Sequence, residues 1–361
     1  MADLDLLLDD LRCLVDVESP SLALDALASS AANLADLIEE RTGRRPAIVE
    51  SANGPHVWWQ GSDDPAAKKV LILGHHDTVF PLGTLADRPF AVADGKATGP
   101  GVFDMKAGIV QALHAVASLD DASAIEMLFT ADEEIGSHAS RQLLEERAAA
   151  CGAVLVLEPS APGGAVKTGR KGVGTFEVTI TGRASHAGLE PEAGVNALIE
   201  AAHQVLRIAD LADPERETTV TPTMATAGTA ENVVPAEARI RVDARVLDPD
   251  EGVRIETAMY ELTPVDPEVT ITVTGTIKRP PMPPSASQAL MPVLTEVAPD
   301  LDTRVVGGAS DGNFTAAIGV PTLDGLGAIG GGAHADHEFV EVDTMVERVD
   351  LIARLLGALL A

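Results

Sequence analysis

Three short apolar runs that alternate with helical patterns constrain most strongly what this chain can fold into. The runs are Lys69–Leu73, Ile125–Thr130 and Ala153–Leu157. Helical spacing of apolar residues predicts helices over residues 3–42, after Asp104 and from Ser137 to Ala150. Uninterrupted apolar strands are typical of sheets that are covered on both faces. Strands that alternate with helices therefore predict a three-layer α/β sandwich around a largely parallel sheet.

The pattern changes between Gly169 and Gly174, where a second unit begins. Its elements follow in the order strand, helix, strand, strand, helix, strand, which predicts an inserted α+β domain of the ferredoxin-like kind. The insertion ends at the proline-rich segment Arg279–Pro284, where no helix or central strand can persist. We therefore expect one domain in two parts, residues 1–171 and 281–361, interrupted by a second domain over residues 172–280.

Composition argues against several classes of partner. The 361 residues carry a formal net charge of −29, which argues against binding to nucleic acid or to an anionic membrane surface. Two cysteines, Cys13 and Cys151, are too few for a disulfide framework or a thiolate zinc site, and we expect both to be small buried side chains. No apolar run reaches the ~18 residues of a membrane span, and the acidic start lacks a signal-peptide pattern. A cytoplasmic location is predicted.

Histidine and acidic residues follow the predicted strands. His75 and Asp77 come directly after the first apolar run, and residues two apart in an extended chain point the same way. In one interpretation His75 binds a metal ion and the Asp77 carboxylate holds its imidazole ring in place. In the alternative, His75 is an ordinary loop histidine and Asp77 is a capping residue. His76 should point to the opposite face and is interpreted as structural.

Four further signals lie beyond the other runs. Asp104 follows a Gly-Pro-Gly segment, Glu133 and Glu134 follow the second run, Glu158 ends the third, and His334 lies far downstream. Each alone has an ordinary explanation as a helix cap or as surface charge. Together they predict oxygen and nitrogen ligands without sulfur, which suit Zn²⁺ or Co²⁺ and also Mn²⁺. Beside a cation, one of the paired glutamates can bind it while the other moves protons.

In this order the five signals resemble the dinuclear zinc aminoacylase and carboxypeptidase family, most strongly its glutamate carboxypeptidase (carboxypeptidase G) branch. The resemblance implies a three-layer zinc-peptidase sandwich with an inserted lid and dimerisation domain. It implies that His75, Asp104 and Glu158 bind one metal ion, and that Asp104 bridges to a second ion held by Glu134 and His334. Asp77 would orient His75, and Glu133 would be the general acid and base. The family also implies a cis peptide bond after Asp104.

The insertion carries further family motifs. The resemblance implies that His186 stabilises the oxyanion in the neighbouring subunit's site, so a homodimer is expected. Asn232, Arg245 and Arg279 match positions that contact substrate, and Arg279 resembles the arginine that holds the substrate's α-carboxylate. A guanidinium fork suits that bidentate contact, while a surface ion pair is the alternative for both arginines. Ser310 is expected to be structural.

The resemblance implies metal-dependent hydrolysis of an amide, with release of a C-terminal amino acid from a small-molecule or peptide substrate that carries a free carboxylate. Two divalent ions are expected, zinc first and cobalt as the alternative. An N-acyl-amino-acid deacylase or a dipeptidase would use the same metal site. A non-catalytic binding module is a third possibility, but such a protein would be expected to lose a ligand or the base. A metal-dependent phosphohydrolase is disfavoured because the sequence has no P-loop or other phosphate-cradling glycine motif.

Overall fold

The structure is a computed structural model that describes residues 2–64 and 70–361. Its strands and helices fall into two units. The first unit contains the chain up to Gly169 together with Pro283–Val306 and Ser310–Ala361. The second contains Arg170–Met282 and Gly307–Ala309. Lys69, the start of the first predicted run, lies outside the described residues, and the strand is observed from Val70 onward.

The first unit carries most of the secondary structure. Its helices are α1 (Leu4–Val15), α2 (Leu24–Thr42), α3 (Thr84–Asp87), α4 (Ala107–Ala117), α5 (Arg141–Ala149), α8 (Met291–Val297), α9 (Gly312–Ala317) and α10 (Met345–Leu360). Its main sheet contains β1 (Ala47–Val49), β2 (His56–Gln60), β3 (Val70–His75), β6 (Ile125–Thr130), β7 (Ala153–Val156) and β14 (Thr322–Leu323). The smaller sheets contain β4 (Ala91–Ala93), β5 (Lys96–Thr98), β15 (Gly330–Gly331) and β16 (Phe339–Glu341), and the pair β8 (Val166–Arg170) and β13 (Thr303–Val306).

The main sheet is covered on both faces, which confirms the predicted three-layer α/β architecture. Its order is β1-β2-β6-β3-β7-β14, and β3 runs parallel to both β6 and β7. Ile72 packs into one buried cluster with side chains of α1, α2, α4 and α10. Leu71 and Leu73, which point the other way, pack into a second cluster with side chains of α5 and α9. Burial on both faces explains why β3 and its neighbours are continuously apolar.

The second unit is an antiparallel sheet with helices on one side. Its elements are β9 (Gly172–Thr181), α6 (Ala197–Ala209), β10 (Thr219–Ala227), β11 (Glu237–Val246), α7 (Pro249–Tyr260) and β12 (Thr270–Arg279). The sheet order β10-β11-β9-β12 with this chain order is the ferredoxin-like arrangement. Alternate residues of β9, namely Phe176, Val178 and Ile180, face a buried cluster that is separate from those of the first unit.

Three local expectations were wrong. The helix expected from Ser137 starts at Arg141, because Glu133–Ile135 forms a 3₁₀ turn and Ser137 adopts a left-handed φ of 56°. Arg279 is not part of a linker, because β12 continues to this residue and pairs it with Val173. Cys13 is exposed on α1 and its thiol hydrogen-bonds Asn33, whereas Cys151 is buried as expected.

A buried ion cluster joins three helices of the first unit. Asp10 of α1 accepts two hydrogen bonds of 2.6 Å from Arg41 of α2 and lies 2.7 Å from Nε2 of His114 on α4. Burial would raise the pKa of Asp10, but the hydrogen bonds from Arg41 and His114 hold it below its ordinary value. In the part of the chain that the structure describes, no helix has the length and apolar character needed to cross a bilayer.

Removing the charge of Asp10 should destabilise the first unit. Asp10→Asn leaves Arg41 and His114 without their buried partner, and breaking such a pair costs about 3–5 kcal/mol of unfolding free energy. Asp9→Asn, which removes an exposed partner of Arg12, should cost about 0–1 kcal/mol. Urea unfolding followed by tryptophan fluorescence measures this, since Trp58 and Trp59 both lie in β2 of this unit. Equal midpoints for the two variants would contradict the assignment.

Candidate metal centre

The carboxyl ends of the parallel strands bring the first ligands together. His75 is the last residue of β3, and Glu158 follows the end of β7 by two residues. The Nε2 atom of His75 lies 3.4 Å from Oδ1 of Asp104 and 3.7 Å from Oε1 of Glu158. These three side chains form one group with the spacing that a single cation would need.

A second group shares Asp104 with the first. Nε2 of His334 lies 3.4 Å from Oδ2 of Asp104 and 3.1 Å from Oε2 of Glu134. In each group the candidate ligand atoms lie within 4.8 Å of one another. All five residues that the sequence singled out as ligands are therefore side by side, with Asp104 between the two groups.

The hydrogen bonding of these side chains fits cations. The Nδ1 atom of His75 lies 3.0 Å from the backbone carbonyl of Asp77, which can only accept, so Nδ1 carries the proton. Nε2 then presents a lone pair toward Asp104 and Glu158, an arrangement that requires a proton or a metal ion between them. Oδ1 of Asp104 and Oε1 of Glu134 are buried without a hydrogen-bond partner. Oxygen and nitrogen atoms left open in this way suit two divalent ions.

The electrostatics of the site also favour positive charge. Burial alone would lower the pKa of His75, but Asp104 and Asp77 raise it well above its ordinary value. Hydrogen bonds to Asp104 and Glu134 raise the pKa of His334 to about 10. Burial would raise the pKa of Asp104, yet the two imidazoles hold it well below its ordinary value. The field that retains protons on both rings would equally attract metal ions.

Asp77 contacts more residues of the site than the predicted orientation of His75 alone would require. The ring of His75 bonds its carbonyl, while the Asp77 carboxylate lies 3.5 Å from the same nitrogen. That carboxylate is fully buried and accepts the backbone N–H groups of Glu133 and Glu134, each at 3.2 Å. It also accepts the Ser21 hydroxyl at 2.7 Å. Asp77 therefore holds the turn that carries Glu133 and Glu134 as well as the histidine.

The loop before Asp104 depends on backbone geometry and on a distant carboxylate. Gly101 has a φ of 72°, and a Cβ there would lie 2.5 Å from the Thr78 side chain. The peptide bond between Asp104 and Met105 is cis, as the family resemblance implied. Glu338 accepts hydrogen bonds from the amides of Gly101, Phe103 and Asp104. Burial raises the pKa of Glu338 to about 7, against the effect of these amides.

The predicted residues of the insertion all lie in the second unit. Exposed His186 accepts the N–H groups of Gly188 and Leu189 at Nδ1, both at 3.1 Å, so its Nε2 carries the proton. The Asn232 carbonyl accepts the amide of Ala187, which brings the two motifs together. Arg245 is paired with Asp243 through two bonds of 2.9 and 3.0 Å, which favours the ion-pair alternative for this arginine. Arg279 is only 8% exposed, at the end of β12.

The structural interpretations of His76 and Ser310 fit their contacts. His76 is buried between the Ser30 hydroxyl and the Pro55 carbonyl, and burial lowers its pKa to about 4. Ser310 donates to Asp324 at 2.5 Å. Sequence reasoning missed Ser21 and the three contacts of Glu338. A serine near the N-terminus carried no signal, and the position of Glu338 four residues after His334 does not indicate which amides it contacts.

The first unit has a three-layer α/β fold, and two groups of nitrogen and oxygen ligands that share one aspartate lie at the edge of its sheet. This combination defines a metal-dependent hydrolase of the metallopeptidase kind. Comparison with known proteins gives the family. Residues 71–358 match the model of peptidase family M20/M25/M40, and the chain belongs to this family, which confirms the resemblance described above.

Individual relatives agree with this assignment. The chain is 34% identical to carboxypeptidase G2 of Pseudomonas sp. (strain RS-16) over 307 residues, 80% of this chain and 73% of that protein. It is 30% identical to succinyl-diaminopimelate desuccinylase of Roseobacter denitrificans over 323 residues, 80% of this chain and 82% of that protein. The fold is similar to that of aminopeptidase PepT from Bacillus cereus, with a TM-score of 0.80, 20% identity and 99% of each chain covered.

Metal titration of the isolated protein tests the two groups. Metal-free protein should bind two equivalents of Zn²⁺ or Co²⁺ in calorimetry. Asp104→Ala should weaken both equivalents by at least about 100-fold, because loss of an outer-shell partner alone already costs 10–100-fold. Glu158→Ala should weaken one of them. The control Asp120→Ala removes an exposed carboxylate and should bind as the wild type does. Two unchanged binding steps in Asp104→Ala would overturn the shared role of this residue.

Proposed function

We propose that this protein is a metal-dependent amide hydrolase that releases a C-terminal amino acid from an N-acyl or peptide substrate, in the manner of a glutamate carboxypeptidase. The observation that carries the proposal is the pair of ligand groups around Asp104, with Glu133 on the turn next to the ligand Glu134. The likeness to carboxypeptidase G2 supports release of a C-terminal residue, and the resemblance to the glutamate carboxypeptidase branch makes glutamate the first residue to test.

His75, Asp104 and Glu158 would hold one divalent ion, and Asp104, Glu134 and His334 the other. When bound, the ions supply Lewis-acid chemistry, which polarises the scissile carbonyl and lowers the pKa of a nearby water. Zinc is proposed first, with cobalt as the alternative, because the ligands are imidazole and carboxylate without sulfur.

Glu133 moves the proton in this mechanism. Its carboxylate accepts a proton from water as the water oxygen bonds to the carbonyl carbon, and it returns that proton to the nitrogen as the C–N bond breaks. The products are a free amine and a carboxylic acid, which releases the second proton of the water to solvent and becomes a carboxylate. Asp77 keeps Glu133 in place, because it accepts the Glu133 amide while its carbonyl holds His75.

The second unit would supply the remaining contacts. His186 is proposed to donate Nε2–H to the developing oxyanion, Arg279 to bind the α-carboxylate of the leaving residue, and Asn232 to contact substrate beside His186. Arg245 has a weaker case because Asp243 already occupies its guanidinium. An N-acyl-amino-acid deacylase is the second candidate, since the relative from Roseobacter denitrificans is named as a desuccinylase. A dipeptidase would share the same centre, and the cytoplasmic location stays a prediction.

A release assay tests the function. Purified protein loaded with Zn²⁺ or Co²⁺ is incubated with N-benzoyl-glutamate, N-acetyl amino acids, N-succinyl-diaminopimelate and dipeptides, and released amines are measured by chromatography. Glutamate should be released from N-benzoyl-glutamate, and a chelator should abolish release until metal is restored. Preference for the N-succinyl substrate would select the deacylase, and no hydrolysis of any substrate by metal-loaded protein would overturn the proposal.

Replacement of the proposed base should separate chemistry from metal binding. Glu133→Gln should retain both ions yet lower kcat by ~10³ or more, because the carboxylate that carries the proton is lost. Glu146→Gln, on the exposed side of α5, should turn over as the wild type does. Wild-type turnover in Glu133→Gln would remove Glu133 from the mechanism.

A homodimer is proposed because the second unit exposes several large apolar side chains and an edge strand. These side chains lie on α6, on the edge strand β10 and in the loop that follows His186: Leu189, Leu198, Ile199, Leu206 and Met224. An exposed edge strand beside an apolar helix face is suited to pairing with a second copy of the same chain.

Subunit mixing tests whether His186 acts in the partner's site. His186→Ala and Glu133→Gln are each expected to be nearly inactive. Mixed dimers combine Glu133 of one chain with His186 of the other, so co-expression should restore about a quarter of wild-type activity, one intact site in half of the dimers. Light scattering during size-exclusion chromatography checks the dimer. Active monomers, or no recovery in confirmed mixed dimers, would contradict the proposal.

A further inference from the structure

Glu338 is a buried carboxylate that the mechanism above does not use. It is 1% exposed, in the loop between His334 and β16. One oxygen accepts the amides of Phe103 at 2.8 Å and Asp104 at 2.9 Å, and the other accepts the amide of Gly101 at 3.0 Å. Three converging N–H groups form an anion-binding concavity, and a side chain from more than 230 positions away fills it.

The segment that carries these amides needs such a partner. Residues 102–106 form an irregular helical turn in which Asp104 and Met105 have non-helical angles, and Gly101 before it is left-handed. Unpaired amides at a buried helix start are costly, and side chains commonly satisfy them. Because one bonded amide is that of Asp104 itself, Glu338 fixes the backbone from which the shared ligand projects.

The same loop fixes His334. The Ala335 amide donates to the Gly332 carbonyl at 2.9 Å, and the Glu338 amide donates to the Ala335 carbonyl at 3.1 Å. Gly332 has a φ of 76°, and a Cβ there would lie 3.0 Å from Cα of Glu338. His334 and Glu338 therefore belong to one folded turn. The candidate ligand His334 lies at one end of this turn, and the carboxylate that accepts the Asp104 amide lies at the other.

We propose that Glu338 is a positioning residue that couples His334 to Asp104 and thereby sets the geometry of the second metal group. Ligand atoms of these two residues lie 3.4 Å apart, although they come from loops far apart in the chain. The Glu338 carboxylate is a direct tie between those loops. The inference rests on the metal site of the proposed function, but not on the identity of the substrate.

Cobalt titration of metal-free protein tests this role. In Glu338→Gln, a side-chain NH₂ group takes the place of one carboxylate oxygen. That NH₂ would face a backbone N–H, which is also a donor, so the loop should shift. At least one of the two binding steps should lose 10–100-fold in affinity, and the visible absorption of the cobalt protein should change. Glu341→Gln, an exposed carboxylate three residues later, should leave both affinities and the spectrum unchanged. Circular dichroism and the melting temperature of the metal-free variants show whether each is folded.

A folded Glu338→Gln with wild-type affinities and cobalt spectrum would overturn the proposal. If that variant does not fold, Glu338→Asp, which keeps the charge but shortens the reach, replaces it. This second variant should also bind cobalt more weakly with an altered spectrum, and wild-type behaviour would again overturn the role. Wild-type protein that binds two cobalt ions yet hydrolyses none of the amides would overturn the proposed function alone. If the wild type hydrolyses the amides and Glu338→Gln keeps wild-type cobalt affinities and spectrum, the positioning role alone would be overturned.

Discussion

Negative charge held in a confined space is the constraint on which the centre of this protein depends. Asp104, Glu134 and Glu158 place three carboxylates beside two imidazoles, and some of their oxygens are buried without hydrogen bonds. Such groups repel one another unless protons or cations lie between them. The carbonyl of Asp77 already holds the Nδ1 proton of His75, so the Nε2 lone pair faces two carboxylates. Divalent ions relieve both the repulsion and the unsatisfied oxygens.

The fold supplies the candidate ligands in two different ways. His75 ends β3 and Glu158 follows the neighbouring parallel strand β7 by two residues, so the sheet itself fixes their spacing. Glu134 lies in a 3₁₀ turn, and Asp104 and His334 come from irregular loops, which no strand ladder holds. Side chains take over that task, since Asp77 holds the Glu133–Glu134 turn and Glu338 holds the loop of Asp104. Loop ligands therefore need dedicated carboxylates that strand ligands do not.

This difference explains what the sequence could and could not predict. Apolar runs and helical spacing determine the layers, and the bounds of β6 were predicted to the residue. The five ligand residues could be singled out because they follow strands or lie in recognisable motifs, and the structure brings them together. The contacts of Ser21 and Glu338 could not be predicted, because they join segments that are distant in sequence and depend on loop paths. Arg279 was misplaced for a related reason, since cross-strand pairing with Val173 carries β12 up to the prolines.

Charge also explains why the second unit would be needed for catalysis. The three candidate ligand carboxylates would offset most of the charge of two divalent ions, which would leave about one positive charge at the centre. The chain as a whole carries −29, so a substrate with a free carboxylate needs a further cation. Arg279 is the proposed source of that charge. His186 is proposed to make a different contribution, because two backbone amides occupy its Nδ1 and leave Nε2–H as a donor in a fixed direction. A preoriented donor stabilises an oxyanion without paying for reorganisation during the reaction. In the proposed mechanism the first unit would thus hold the cations and move the proton, and the second unit would recognise negative charge on the substrate.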